Sequence, residues 1–147
     1  MSANANAPKF YRRTYDSDYT QNLLLAGRIL MALLFVYLGY VKLMSFGVTV
    51  GYFAEWDFPL PPMAAVLAVI FEFGGGILLL IGWKTRWVAW ALFLYVAIAT
   101  GVAHRFWTYE AVQAFNQKAH FFKNVSIMGG LLCFAAVGPG RFRFDKD

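Results

Sequence analysis

Cysteine is nearly absent from this chain: Cys133 is the single one in 147 residues. One cysteine excludes an intramolecular disulfide, a CxxC redox pair and an iron–sulfur centre built by this chain alone. Cys133 lies inside an apolar run and reads as a small packing residue. Charge is scarce as well, at 14% of residues, against about 25% in soluble domains. Histidine is limited to His104 and His120. With no acidic or thiol ligand beside them they match no common metal spacing, so no metal site is expected. A haem is disfavoured too, because both imidazoles fall at the same end of adjacent helices. No phosphate-binding glycine loop is present, and no serine–histidine–acid set is suggested by spacing. Residues 1 to 20 lack the apolar core of a cleavable signal peptide, so none is expected.

What the chain has is apolar length. Hydrophobic residues make up 60%, more than a soluble chain of this size can hide. Four runs stand out, near 22–44, 62–82, 87–103 and 119–137. Each approaches the ~20 residues that span hydrocarbon as a helix. They are continuously apolar rather than alternating, which argues against membrane strands. The expected fold is all-α: an integral membrane four-helix bundle, multi-pass in the cell inner (plasma) membrane. It divides into a basic N-terminal tail (1–21), a four-helix transmembrane domain (22–137) and a basic C-terminal tail (138–147). Asp18 followed by Gln21 resembles a loose capping box, and the prolines at 59, 61 and 62 open the second helix.

The net charge of +5 does not point to nucleic acid, because the basic residues flank apolar runs. Lys9, Arg12, Arg13, Lys84, Arg86, Arg141, Arg143 and Lys146 fall on one side of the predicted spans. Arg105 and Lys118 fall on the other. This asymmetry predicts both termini in the cytoplasm. Trp83, Trp87 and Trp90 mark that interface. Tyr11, Tyr15 and Tyr19 recur every fourth residue in a tail read either as a surface helix or as disordered. The 45–61 segment reads as a loop. The 104–118 loop is too aromatic for a solvated linker and reads as an interfacial helix or a lid.

Some charges must enter the membrane. Glu72 stands alone at the centre of the second run, where a carboxylate costs several kcal/mol. It shares a face with Ala65, Ala68 and Gly75 or Gly76, so it points into the bundle. Measured from the helix ends, Arg28 lies about 12 Å in and Glu72 about 15 Å in. The matching depths predict a buried Arg28–Glu72 pair, which either locks two helices or sits beside a polar ligand or proton path. His120, Lys123 and Asn124 share one face of the fourth helix. His104 and Lys42 are expected at the same level. That outer cluster reads as interface anchoring or as a binding site.

These residues together resemble the DoxX family of small four-helix membrane proteins. Arg28, Gly39 and Lys42 fit its first-helix pattern, and Pro61 fits its proline-rich entry to the second helix. Glu72, Gly75, Gly76, Gly82, Thr85 and Arg86 fit Glu-x-x-Gly-Gly followed by Gly-x-x-Thr-Arg. His104 fits a histidine after the third helix. Gly138, Pro139, Gly140, Arg141 and Asp145 fit the ending. The likeness covers about Leu23 to Asp145. Arg143 departs from it, standing where the family often has serine.

The resemblance implies a membrane subunit of a quinone-linked oxidoreductase, such as a thiosulfate:quinone oxidoreductase, or of an oxidant-defence complex. In that setting His104, His120 and Lys123 are candidate partners of a quinone head, with Lys42 and Asn124 in the same polar cluster. Arg28 and Glu72 set the internal charge. No intrinsic cofactor is implied beyond a quinone, and electrons come from a cofactor on a protein partner. Two alternatives stay open: a non-catalytic anchor that recruits partner proteins, and a small-solute or proton translocator. Membrane lipid is the remaining expected partner.

Overall fold

A computed structural model of the chain describes residues 15–145. The surface helix expected around Tyr11, and the basic residues Lys9, Arg12, Arg13 and Lys146, lie outside the described residues.

The first span is α1 (Asp18–Met44). Its cap is Ser17, whose hydroxyl accepts the Thr20 N–H at 3.3 Å. The expected Asp18 box is therefore shifted by one residue, and Asp18 instead occupies the first turn and pairs with Arg141. The chain breaks at Ser45 and resumes as α2 (Phe46–Glu55). The 45–61 segment is thus largely helical rather than a loop. The Thr49 hydroxyl donates across the break to the carbonyls of Lys42 and Ser45, at 3.3 and 3.2 Å.

The second span is one rod in three parts: α3 (Pro61–Val69), a π-helical turn (Ile70–Gly74) and α4 (Gly75–Ile81). Pro61 and Pro62 take the first helical positions, where their missing N–H groups go unmissed. The third span is α5 (Thr85–Ala103), and a short 3-10 turn follows at Phe106–Thr108. The fourth is α6 (Ala111–Val137). It starts two turns earlier than its apolar run suggested. Residues 111–118 therefore extend the fourth helix instead of forming a lid, and the aromatic turn packs on it through Phe106, Trp107 and Phe121.

All four rods are long and apolar enough to cross a membrane. They close into a ring, α1 on the second span, that span on α5, α5 on α6, and α6 back on α1. Leu79, Leu92 and Leu131 fill the core, yet much of the apolar surface faces outward. Large side chains such as Leu30, Leu94 and Ile98 lie outside, while Ala32, Ala65, Ala68 and Ala89 lie inside with Arg28, Glu72, Thr85 and Thr100. Lipid supplies no hydrophobic drive between helices, so close packing of small residues and polar contacts hold them together.

The first two spans show how close that packing is. A Cβ on Gly39 would sit 2.3 Å from the Phe73 nitrogen, and one on Gly76 would sit 2.8 Å from the Val36 nitrogen. Only hydrogen fits between these backbones. The contacts also fix the antiparallel register: Gly39 beside Phe73, Val36 beside Gly76, Arg28 beside Gly82.

The C-terminal tail is folded against this end. The Phe144 N–H donates to the Ile81 carbonyl at 3.0 Å, and the Arg141 N–H donates to Gln21 Oε1 at 2.7 Å. Both ends of the described chain thus meet at the basic end of the bundle.

Candidate functional site

At the centre, Glu72 is bound by two groups. Lys42 Nζ lies 2.6 Å from Glu72 Oε2, and the Tyr95 hydroxyl donates to Glu72 Oε1 at 2.6 Å. The carboxylate is almost wholly buried, at 7% exposed for the residue. The π turn carries it. Phe71, the residue before, stacks on the Tyr95 ring with centroids 5.3 Å apart and planes within 7°. The turn thereby sets ring on ring and carboxylate on hydroxyl together. π turns of this kind recur where a side chain must be aimed away from a regular helical face.

This corrects the predicted Arg28–Glu72 pair. Register is set by the glycine contacts, not by distance from the helix ends. Arg28 stands level with Gly82, ten residues from Glu72 along the second span and so about 15 Å away in depth. The α1 helix overhangs that end by the stretch Asp18–Gly27, which the depth count took to start level with the end of the second span. Lys42, on the other side, reaches Glu72 with its long stem. Arg28 has a different partner: its Nη1 donates to the Pro139 carbonyl at 2.9 Å, while its Nε is buried without a hydrogen-bond partner. Pro139 follows the end of α6, where helix carbonyls carry partial negative charge. A main-chain carbonyl just beyond the helix end replaces the expected acid.

The outer cluster is partly assembled. His104 and His120 stack with ring centroids 5.2 Å apart and planes 19° apart. Lys123 Nζ lies 3.1 Å from His120 Nδ1, and Gln117 Oε1 lies 2.8 Å from His104 Nδ1. His120 and Lys123 are exposed on the flank of α6. Asn124 turns inward instead and donates to the Thr100 hydroxyl at 2.9 Å, tying α6 to α5. Lys42 does not join the cluster, because Glu72 holds it. Among the described residues no group of three metal-ligating side chains comes together.

Sequence reasoning missed Tyr95 and Gln117, and took Gln21 only as a capping residue. Tyr95 had a signal: it is the lone tyrosine of α5, midway along a span, where a hydroxyl requires a partner. Gln117 sits three residues before His120 on the same helix face, but a lone amide in an aromatic stretch gives little warning. Gln21 had none, since it bonds backbone on both sides, donating to the Tyr15 carbonyl at 2.6 Å and accepting from Arg141 N–H.

Fold and site together define a small four-span membrane protein with an ion pair at its centre and an imidazole pair toward one end. The chain belongs to the DoxX family, whose profile matches residues 23–105. It is 38% identical to the inner membrane protein YphA of Escherichia coli over 125 residues, 84% of this chain and 89% of that protein. It is 32% identical to the E. coli inner membrane protein YqjF over 122 residues, 83% of this chain and 88% of that protein. It is also 29% identical to the Surfeit locus protein 4 homolog of Schizosaccharomyces pombe over 124 residues, 83% of this chain but 36% of that longer protein. No solved structure matches. The chain is a multi-pass inner membrane protein in contact with lipid.

Proposed function

We propose that the chain is a membrane subunit of a quinone-linked oxidoreductase, and that the His104–His120–Lys123 cluster receives the quinone head. The observation that carries this reading is the stacked imidazole pair with its two fixed hydrogen bonds. With Gln117 Oε1 as acceptor, His104 carries its proton on Nδ1 and leaves Nε2 as a base. With Lys123 donating to Nδ1, His120 carries its proton on Nε2 and offers it as a donor. One donor and one base side by side suit a ring with polar oxygens that gains and loses protons with electrons. His120 and Lys123 are exposed on the flank of α6, where a membrane-borne ligand would arrive without a tunnel. The quinone supplies the electron-carrying ring, and a cofactor on a partner protein supplies the electrons.

The translocator reading has less support, because Lys42 and Tyr95 occupy the carboxylate that motivated it. The anchor reading is separated by the same preparation. Protein purified in mild detergent is extracted and assayed for ubiquinone and menaquinone by mass spectrometry. The expected result is copurifying quinone in the wild type, reduced about tenfold in the double variant His120→Ala, Lys123→Gln, the loss of about two hydrogen bonds. Repeated extraction without quinone, together with no quinone-dependent spectral change, sinks the proposal. A stoichiometric protein partner in such quinone-free material favours the anchor.

A further inference from the structure

The basic end of the bundle holds a cavity, lined by none of the residues of the histidine pair or the Glu72 site. It is a cleft of about 470 Å³ between the start of α1, the first residues of α5 and the returning tail. That volume lies in the range of about 300–1,000 Å³ occupied by small-molecule sites. Four cationic residues line it, Lys84, Arg86, Arg141 and Arg143, with the carboxylates of Asp16 and Asp145.

Some of these charges are already engaged. Asp145 accepts the Lys84 N–H at 2.8 Å, and Arg141 is paired with Asp18. Arg86 keeps only a long contact to the Val137 carbonyl at 3.4 Å. Among the described residues Arg143 has no ion pair. Two guanidinium groups therefore line the cleft without a carboxylate partner.

Thr85 adds an independent sign. It also lines the cleft, it is 1% exposed, and its hydroxyl is buried with no hydrogen-bond partner. Buried hydroxyls are seldom left unpaired, so this one is open to an oxygen of a group held in the cleft. Guanidinium groups and a hydroxyl donor around a small cavity suit a phosphate, which guanidinium binds through two parallel hydrogen bonds. Trp87 lines the same cleft and is well exposed, with Trp83 beside it. Tryptophans at that position belong to the membrane–water boundary.

We propose that this cleft binds the phosphate of an anionic phospholipid, with Arg86 and Arg143 as cationic contacts and the Thr85 hydroxyl as a hydrogen-bond donor. The headgroup occupies the cleft and the acyl chains leave along the tryptophan side.

The test is native mass spectrometry of the full chain titrated with phosphatidylglycerol or phosphatidylcholine in detergent. The wild type is expected to retain phosphatidylglycerol in preference to phosphatidylcholine. Arg86→Gln with Arg143→Gln is expected to weaken that retention tenfold or more, at roughly the strength of two interfacial arginines. Arg105→Gln, at the other end, is expected to leave it unchanged. Thr85→Val, which keeps shape and removes the hydroxyl, covers the case in which the double variant does not fold. It is expected to be at least as heat-stable as wild type without lipid, yet to gain less stability from phosphatidylglycerol. Millimolar glycerol 3-phosphate is the competitor for a soluble source: no displacement supports the lipid, and full displacement overturns it in favour of a soluble phosphate compound. Equal retention of both lipids, or unchanged retention in the arginine and threonine variants, overturns the site altogether.

Discussion

Replacing Lys42 by methionine is expected to destabilise the bundle severely, by about 3–5 kcal/mol, the usual cost of leaving one partner of a buried pair behind. The effect is expected to be asymmetric. Glu72 is held inside the ring of helices, and only the Tyr95 hydroxyl would remain to it. Lys42 is on a more open face, with its side chain 28% exposed, and a lysine stem can carry its charge toward water. Glu72→Gln should therefore cost less, about 1–2 kcal/mol, since an amide still accepts from Tyr95. The double variant Lys42→Met, Glu72→Gln is expected to recover roughly 1–3 kcal/mol of the summed loss, a coupling typical of groups in direct contact. Thermal unfolding in detergent of the two single variants and the double variant measures all three terms. Additive losses would mean that the pair carries no coupling. A full recovery of stability with loss of any activity would mark the pair as functional as well as structural.

Gly39→Val is expected to be as damaging, for a different reason. Its new side chain would meet backbone, not a movable side-chain tip: the Phe73 nitrogen at 2.3 Å and Cα at 2.6 Å from Cβ alone. The two helices must separate, which breaks the small-residue contact and stretches the nearby Lys42–Glu72 bridge together. Overpacking commonly costs about 1–3 kcal/mol, and the linked loss of the bridge puts this case at the upper end or beyond. Gly47→Val is the control, because a Cβ there meets nothing within 4 Å. The check is the amount of folded protein in membranes and its melting temperature after extraction. Normal accumulation of the Gly39 variant would mean that the spans do not approach as closely as described.

Both sites illustrate what a sequence of this kind discloses. The spans were legible because bilayer thickness imposes a length on any apolar helix, and the inward face of Glu72 was legible from Ala65 and Ala68. The identity of its partner was not, because depth counted from helix ends assumes that both helices begin at the same level. The overhang of α1 broke that assumption. Arg28 was misassigned because charge counting searches for acids, whereas its partner is the Pro139 main-chain carbonyl. The histidine pair was legible in outline, since His104 and His120 fall at one end of adjacent spans. Their stacking, and the withdrawal of Asn124 to Thr100, depend on the rotation of α6 against α5, which no single-helix pattern encodes. The C-terminal segment was read only as a basic tail; its anchoring through Gln21 leaves no signature in composition.

The π turn at Ile70–Gly74 has a further consequence, for insertions and deletions. At that turn the Gly75 N–H reaches back to the Ile70 carbonyl, five residues away, so the second span contains one residue more than a regular α-helix would. One residue of α-helix corresponds to about 100° of rotation. An alignment gap placed in this segment is therefore not a trivial change of length. It re-aims one half of the span against the other, turning the Leu79 side away from the core while leaving the Ala65 and Ala68 side in place. Relatives that differ by a single residue here would share a span and a sequence pattern yet present different faces to the first helix.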